Sequence, residues 1–276
     1  MDAYAWRLAL SFLVGGGTVA AFTTLAERGS ARVGGLLLSF PVKVTVSLVL
    51  IALNEGVLFA ARSATAVPAG IGVNVVFLVA TALLVRRAAP WPALVGALAI
   101  WAAAGLAVIL WLPEGLSWSL LAWAAFALAG LALLARVPSR RVARSPRPPA
   151  PLVWWKLVGR ALGAGAVVAG SIVVAHEGGP ILGGLASVFP SGFLTTMVIL
   201  TRRHGADYTA STVRVMVAGT TAPALFGAAI AFAYPAWGLV WGTLASLALA
   251  ASVSLGIGWL LKREAAPAPE ADVAGA

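Results

Sequence analysis

The stretch "GGLLLSFPVKV", residues 34–44, places two glycines, a proline and a lysine inside an apolar run long enough to cross a membrane. Proline removes one helical hydrogen bond, and it is tolerated in lipid because neighbouring groups satisfy the freed carbonyl. An ammonium near the bilayer centre is costly, so such a residue usually has a functional role. The stretch therefore predicts a kinked or broken membrane helix that carries a deep charge, Lys43.

A second stretch, "GGLASVFPSGF" at 183–193, repeats this pattern 149 positions later. When 6–56 is laid over 155–205 without a gap, 15 of 51 positions are identical. Roughly 4 are expected by chance for this composition. The identities cluster at the glycine pair and at Phe-Pro, which indicates an internal repeat with one broken helix in each copy. Pro41 and Pro190 should each deprive a carbonyl of its helical donor, that of Leu37 and that of Ala186.

The composition is that of a polytopic, all-α membrane protein: 61% of the residues are hydrophobic, 10% are charged, and the mean hydropathy is +0.97. There is no cysteine and there are two histidines, so we predict neither a metal site nor a cofactor. The net charge of +10 would suggest nucleic acid as the partner of a soluble protein. Here most arginines lie between apolar runs, where they indicate which loops face the cytoplasm. We therefore do not expect nucleic acid as a partner.

Apolar runs of about 20 residues predict nine transmembrane helices. They lie at 4–26, 33–54, 67–85, 91–112, 116–135, 155–175, 181–201, 209–233 and 236–261. The repeat pairs the first four spans with the last four and leaves the fifth as a connector. Because five spans, an odd number, separate the two repeat starts, the repeats should insert with opposite orientation. Inverted-topology repeats are characteristic of secondary transporters.

The predicted organisation has five segments. Repeat 1 covers 1–112, the connecting span 113–135, a basic Pro/Arg-rich linker 136–154, repeat 2 155–263, and a disordered tail 264–276. With the linker placed in the cytoplasm, 14 of the 19 Lys and Arg residues fall inside and two fall outside. We therefore predict a cytoplasmic (inner) membrane protein with its amino terminus outside and its carboxyl terminus in the cytoplasm.

Lys43 lies roughly 15 Å into its predicted span, and no Asp or Glu occupies the interior of any predicted span. Three interpretations remain open. Lys43 faces an aqueous cavity and meets an anionic substrate, it is neutral and exchanges protons, or it snorkels from the membrane edge. Its repeat equivalent is Gly192, so a site built on Lys43 would be asymmetric. The absence of a deep carboxylate argues against a cation exporter and favours anionic or neutral cargo.

Other candidate substrate-binding residues surround the two motifs or supply polar groups within spans. They are Gly34, Gly35, Phe40, Pro41, Gly183, Gly184, Phe189, Pro190, Asn74, Thr195, Thr196 and Arg214. Each has an ordinary structural interpretation as well. A proline kink serves helix packing, a membrane hydroxyl bonds its own backbone, and Arg214 binds lipid phosphate near the cytoplasmic face.

No arrangement of serine, histidine and acid, and no phosphate-binding glycine loop, indicates catalysis, so we do not expect an enzyme. The sequence "HEGG" at 176–179 lacks the second histidine of a metalloprotease motif. We interpret it as a loop with potential for pH sensing.

The two "GGL...FP" segments resemble the span of the small GlpM-like membrane proteins and related uncharacterised families, over about 20 residues in each repeat. The resemblance implies an integral membrane protein and carries no substrate with it. The duplicated helices also look like the layout of the drug/metabolite transporter superfamily, which usually has ten spans in five plus five.

These observations favour a secondary transporter that moves a small organic anion, a neutral metabolite or a phosphate-bearing lipid, with membrane lipids as its other partners. The alternative is a scaffold or assembly factor whose repeats serve packing alone. A polar cavity that reaches Pro41 and Pro190 would favour transport, and a solid interior there would favour the scaffold. The oligomeric state is not predicted.

Overall fold

The computed structural model describes residues 3–28, 41–136 and 154–265, and within these ranges the chain forms helices and short connections without a β-strand. This confirms the all-α prediction. The described helices are α1 Ala3–Arg28, α2 Val42–Glu55, α3 Val57–Thr65, α4 Val67–Leu84, α5 Pro90–Trp111, α6 Leu116–Ala135, α7 Trp154–Gly178, α8 Pro180–Ser187, α9 Ser191–Gly219 and α10 Thr221–Ala265.

Six stretches of the described residues are long and apolar enough to cross a membrane. They are Val67–Leu84, Pro90–Trp111, Leu116–Ala135, Ala161–Gly178, Pro180–Arg202 and Gly205–Leu260. Helices α5 and α6 expose large apolar side chains such as Trp111, Trp118 and Leu128. A wide apolar surface of this kind is suited to lipid, so the chain is a membrane protein.

Helix α4 is the centre of the packing. It contacts α5, α6, α9 and α10, and most of its residues are buried. A helix that is apolar on every side is stable only when it is surrounded, and α4 meets that condition. Its one amide side chain, Asn74, is therefore buried in the interior of the molecule.

Helices α1 and α7 cross through a pair of glycines. A Cβ added at Gly16 would collide with the carbonyl oxygen of Ala161, and a Cβ added at Gly165 would lie 2.7 Å from the carbonyl oxygen of Phe12. Small residues permit such close backbone approach between membrane helices. The two contacts are reciprocal: Gly165 follows Gly16 by 149 positions, and Ala161 follows Phe12 by the same number.

Two further glycines interrupt the helices at equivalent positions. Gly56 separates α2 from α3 with φ 101°, and Gly205 interrupts α9 with φ 78°. Both angles lie in the region that side chains disfavour, so glycine is required at each point. The sequence had predicted loops here, at 55–66 and 202–208. The structure instead continues as helix on both sides of each glycine.

The last two predicted spans, 209–233 and 236–261, are divided differently in the structure. Helix α9 ends at Gly219, and α10 begins at Thr221. Within α10 a Cβ at Gly242 would lie 3.0 Å from the carbonyl oxygen of Ala233. Nine residues of straight helix would separate these atoms by about 13 Å. The chain therefore folds back at Gly238, where φ is 70°, a few residues after the predicted turn.

Candidate functional site

The chain leaves helical geometry between α8 and α9, at residues 188–190, which we call the break. Pro190 has no amide hydrogen, and α9 makes its first helical bond from Leu194 N to the Pro190 carbonyl at 2.7 Å. The carbonyl of Ala186, predicted to lose its donor, accepts from Phe189 N at 3.2 Å instead. The carbonyls of Val188 and Phe189 lie between the two helices, outside either helical ladder.

Lys43 binds this break from the other half of the chain. It is the second residue of α2, and its Nζ donates to the carbonyl oxygen of Phe189 and to Ser191 Oγ, the latter at 3.4 Å. The two acceptors are 146 and 148 positions away in the sequence. Both acceptors are uncharged. Because a cation is favoured beside the carbonyl end of a helix, Lys43 stabilises the end of α8.

Asn74 and Trp101 hold the other carbonyl of the break. Asn74 Nδ2 donates to the Val188 carbonyl at 2.7 Å, and Trp101 Nε1 donates to Asn74 Oδ1 at 2.9 Å. The Trp101 ring also meets the Phe189 ring edge-on, with 5.2 Å between centroids. The amide thus satisfies one exposed carbonyl and one indole N–H, two polar groups that would be costly to leave unpaired in an apolar interior.

Lys43, in the first turn of α2, reaches Ser191 at the start of α9 through its long side chain. The first amides of a helix have no helical acceptor, and they carry the positive end of the helix dipole. Lys43 is half-buried, and in its protonated form it adds a positive charge beside these amides. This charge and the amino end of α9 face the carbonyl end of α8 at the break.

The predicted glycines of the second motif serve packing. A Cβ at Gly184 would collide with the Ser63 carbonyl of α3, and one at Gly183 would collide with Ala175 of α7. Pro41 is buried immediately before α2. Gly34, Gly35 and Phe40 lie outside the described residues.

Three predicted polar residues do not join the break through their side chains. The hydroxyls of Thr195 and Thr196 bond the carbonyls of Ser191 and Gly192 one turn back in their own helix. Arg214 lies beyond Gly205 and donates to the Leu134 carbonyl near the end of α6. For the two threonines the ordinary structural interpretation holds, while Arg214 joins two helices.

Trp101 and Ser191 belong to the site and were missed by the sequence reasoning. Trp101 lies in the middle of an apolar span, where an indole N–H needs a partner. That requirement was the available signal. Ser191 follows Pro190 directly, but nothing in the sequence distinguishes its hydroxyl from those of Thr195 and Thr196.

A cavity of about 340 Å³ opens beside α8, toward its beginning at Pro180. Its polar lining includes Thr65, Glu114 and Ser119, and its lining residues include neither Pro41 nor Pro190. This cavity is therefore not the polar path to the two prolines that was expected to distinguish a transporter from a scaffold. In the described part of the chain no group of three or more His, Asp and Glu side chains is placed to hold a metal ion. No protein-family model, curated protein or solved structure matches the chain.

Proposed function

We propose that this protein is a secondary transporter of a small organic anion, which binds at the break beside Lys43 and crosses the membrane by alternating access between two inverted repeats. One observation carries the proposal. The deep cation of the first half donates to the interrupted helix of the second half, at Phe189 and Ser191. Discontinuous helices that meet at midplane are the usual substrate sites of such transporters.

The contacts between α1 and α7 support the inverted arrangement of the repeats. Gly16 packs on Ala161, and Gly165 packs on Phe12. Later residues of α1 therefore contact earlier residues of α7, as in an antiparallel pair of helices related by a two-fold axis. Gly56 and Gly205, also 149 positions apart, support the same relation.

The charge of the site bears on which of the three predicted classes of cargo is favoured. The Lys43 ammonium lies at the amino end of α9, and the acceptors of Lys43 are uncharged. A neutral metabolite would leave these charges without a counter-ion, whereas an anion would neutralise them. A phosphate-bearing lipid shares the favourable charge, so the charge of the site alone does not separate it from a small anion.

Substrate binding would involve an exchange of partners at the break. The anion would take over the Lys43 ammonium, and the Phe189 carbonyl would lose its charged donor. Release of these bonds would remove one of several contacts between the two halves, among which Asn74–Val188 remains, and would favour their movement relative to one another. By the arginine distribution, we assign the Glu55 end of α2 to the outside and the Arg86 end of α4 to the cytoplasm.

The test combines binding with transport. The purified protein and a Lys43→Met variant are screened by thermal shift against a panel of small carboxylates, sulfonates and phosphates, because a ligand of the folded state raises its apparent stability. Radiolabelled uptake of each hit is then measured in proteoliposomes. We expect the thermal shift to vanish in Lys43→Met and uptake to fall about tenfold or more, as befits a lost charge-assisted hydrogen bond.

Thr196→Val serves as the matched control, because that hydroxyl bonds its own helix and is exposed. If Lys43→Met retains wild-type uptake and affinity for an identified anion, the role of the lysine is wrong. If no member of this panel is bound or moved by the folded wild type, the proposal of an anion transporter is wrong and the scaffold alternative is favoured. The solid packing of Gly184 on Ser63 would agree with that alternative.

A further inference from the structure

Two polar contacts join separate helices at the ends of the molecule, and each lies beside one of the two interrupting glycines. Glu55 immediately precedes Gly56. Its Oε1 lies 2.9 Å from His176 Nδ1, within hydrogen-bonding distance. Asp207, two residues after Gly205, pairs with Arg86 at 2.6 Å between Oδ1 and Nη1. Arg202 also lies over the Trp91 ring, 4.9 Å from its centroid.

The Glu55–His176 contact lies on one side of the break. Helix α2 runs 14 residues from the break to Glu55, a length of about 20 Å. His176 lies near the end of α7, directly before α8, and α8 leads back to the break. We call this end of the molecule the Gly56 face.

The Arg86–Asp207 contact lies on the opposite side. Gly70, near the start of α4, packs against Leu185 of α8, and Asn74 binds the break itself. Arg86 follows the far end of α4, about 18 Å beyond Asn74. We call this end the Gly205 face.

We propose that the two contacts are alternating latches: the Glu55–His176 pair closes the path from the Gly56 face to the break, and the Arg86–Asp207 pair closes the path from the Gly205 face. The proposal rests on the proposed function, since it assigns the gates of that transporter. Each latch adjoins a glycine whose left-handed φ allows the following helix to reorient, as hinges require. Both latches are closed in this structure.

The strength of the latches suits a gate. Their side chains are partly exposed, with relative exposures of 45% and 19% for His176 and Glu55 and 30% and 50% for Arg86 and Asp207. Exposed pairs of this kind contribute modestly to stability. A gate must open on a millisecond timescale, and a contact of this size allows opening where a buried network would prevent it.

The test uses one reporter cysteine, since the chain has no native cysteine. Gly192→Cys lies next to Ser191 at the break, is exposed, and has no neighbouring atom within 4 Å of an added Cβ. A membrane-impermeant maleimide is applied to right-side-out and to inside-out vesicles, so that labelling is measured from each face. Glu55→Gln and Arg86→Gln are introduced separately, and the neighbours Glu177→Gln and Arg87→Gln are the matched controls.

Loss of a latch should raise labelling about two- to fivefold from its own face only, the change expected for a partly exposed ion pair. The exchanged pair Arg86→Asp with Asp207→Arg should restore slow labelling, which excludes a general loss of folding. Unchanged labelling in both latch variants, or equal increases from both faces, would overturn the proposal. Labelling needs no substrate, so this outcome is distinct from a failure of anion uptake.

Discussion

The crossing of α1 and α7 and the break between α8 and α9 show two ways in which one repeated sequence is used. At the crossing each half supplies the same contact, a glycine against a carbonyl of the other helix. At the break one half supplies a lysine and an asparagine, and the other supplies the carbonyls that they bind. Residues shared by the two copies thus form the symmetric packing between α1 and α7, and residues that differ between the copies form the polar contacts at the break.

The largest loss of stability is expected when one methyl group is added at the crossing of α1 and α7. Gly16→Ala and Gly165→Ala each force a Cβ against a backbone carbonyl, and overpacking costs about 1–3 kcal/mol or more where backbone cannot move. We expect both to lower the thermal unfolding temperature in detergent strongly and by similar amounts, because the contacts are reciprocal.

Gly17→Ala and Gly163→Ala are the controls for the crossing, since an added Cβ there meets nothing within 4 Å. In a helix interior alanine is preferred to glycine by about 1 kcal/mol, so these two should be neutral or stabilising. A large difference between Gly16→Ala and Gly165→Ala would contradict the symmetric description of the crossing.

The next effect concerns the asymmetric break. Asn74→Leu removes the donor to Val188 and the acceptor of Trp101, and leaving buried polar groups unpaired costs about 1–3 kcal/mol. We expect a clear loss of stability, measured by the same thermal assay. An Asn74→Leu variant as stable as the wild type would show that the break does not depend on this amide.

Trp101→Phe separates the hydrogen bond from the ring contact. The variant keeps an aromatic ring near Phe189 but loses the N–H that binds Asn74, so a smaller cost of about 1 kcal/mol is expected. Combined with Asn74→Leu, it should add little, because the two residues share one bond. Full additivity in this double-mutant cycle would show that the two side chains act independently.

Sequence alone predicted the position of the break but not the packing around it. Phe-Pro is a local signal and located the break between α8 and α9, whereas Gly183 and Gly184 were expected to bind substrate and instead pack against α7 and α3. The partners of Lys43 were not predictable, because they lie 146 and 148 positions away and depend on how the two halves pack. The same holds for Asn74, whose amide could have bonded any nearby carbonyl.

The sequence contains a second pattern at the residues of the Glu55–His176 contact. At the repeat offset of 149, Glu55 is equivalent to His204, and His176 is equivalent to Glu27, so the same two residue types recur in exchanged order. Such an exchange between copies is a long-range signal. Periodicity and composition, which read one helix at a time, do not detect it.

The smallest predicted effect compares Ser47 with its repeat equivalent, Thr196. Ser47 is fully buried and its Oγ has no hydrogen-bond partner, whereas the exposed Thr196 hydroxyl bonds Gly192 at 2.9 Å. Because an unpaired buried hydroxyl is costly, Ser47→Ala should raise stability, by up to about 1 kcal/mol, while Thr196→Val stays within about 0.5 kcal/mol of the wild type. Thermal unfolding in detergent measures both. If Ser47→Ala instead lowers stability, the hydroxyl has a partner in the membrane-embedded protein, and since Ser47 lies one turn from Lys43 on the same face, that partner would belong to the site at the break.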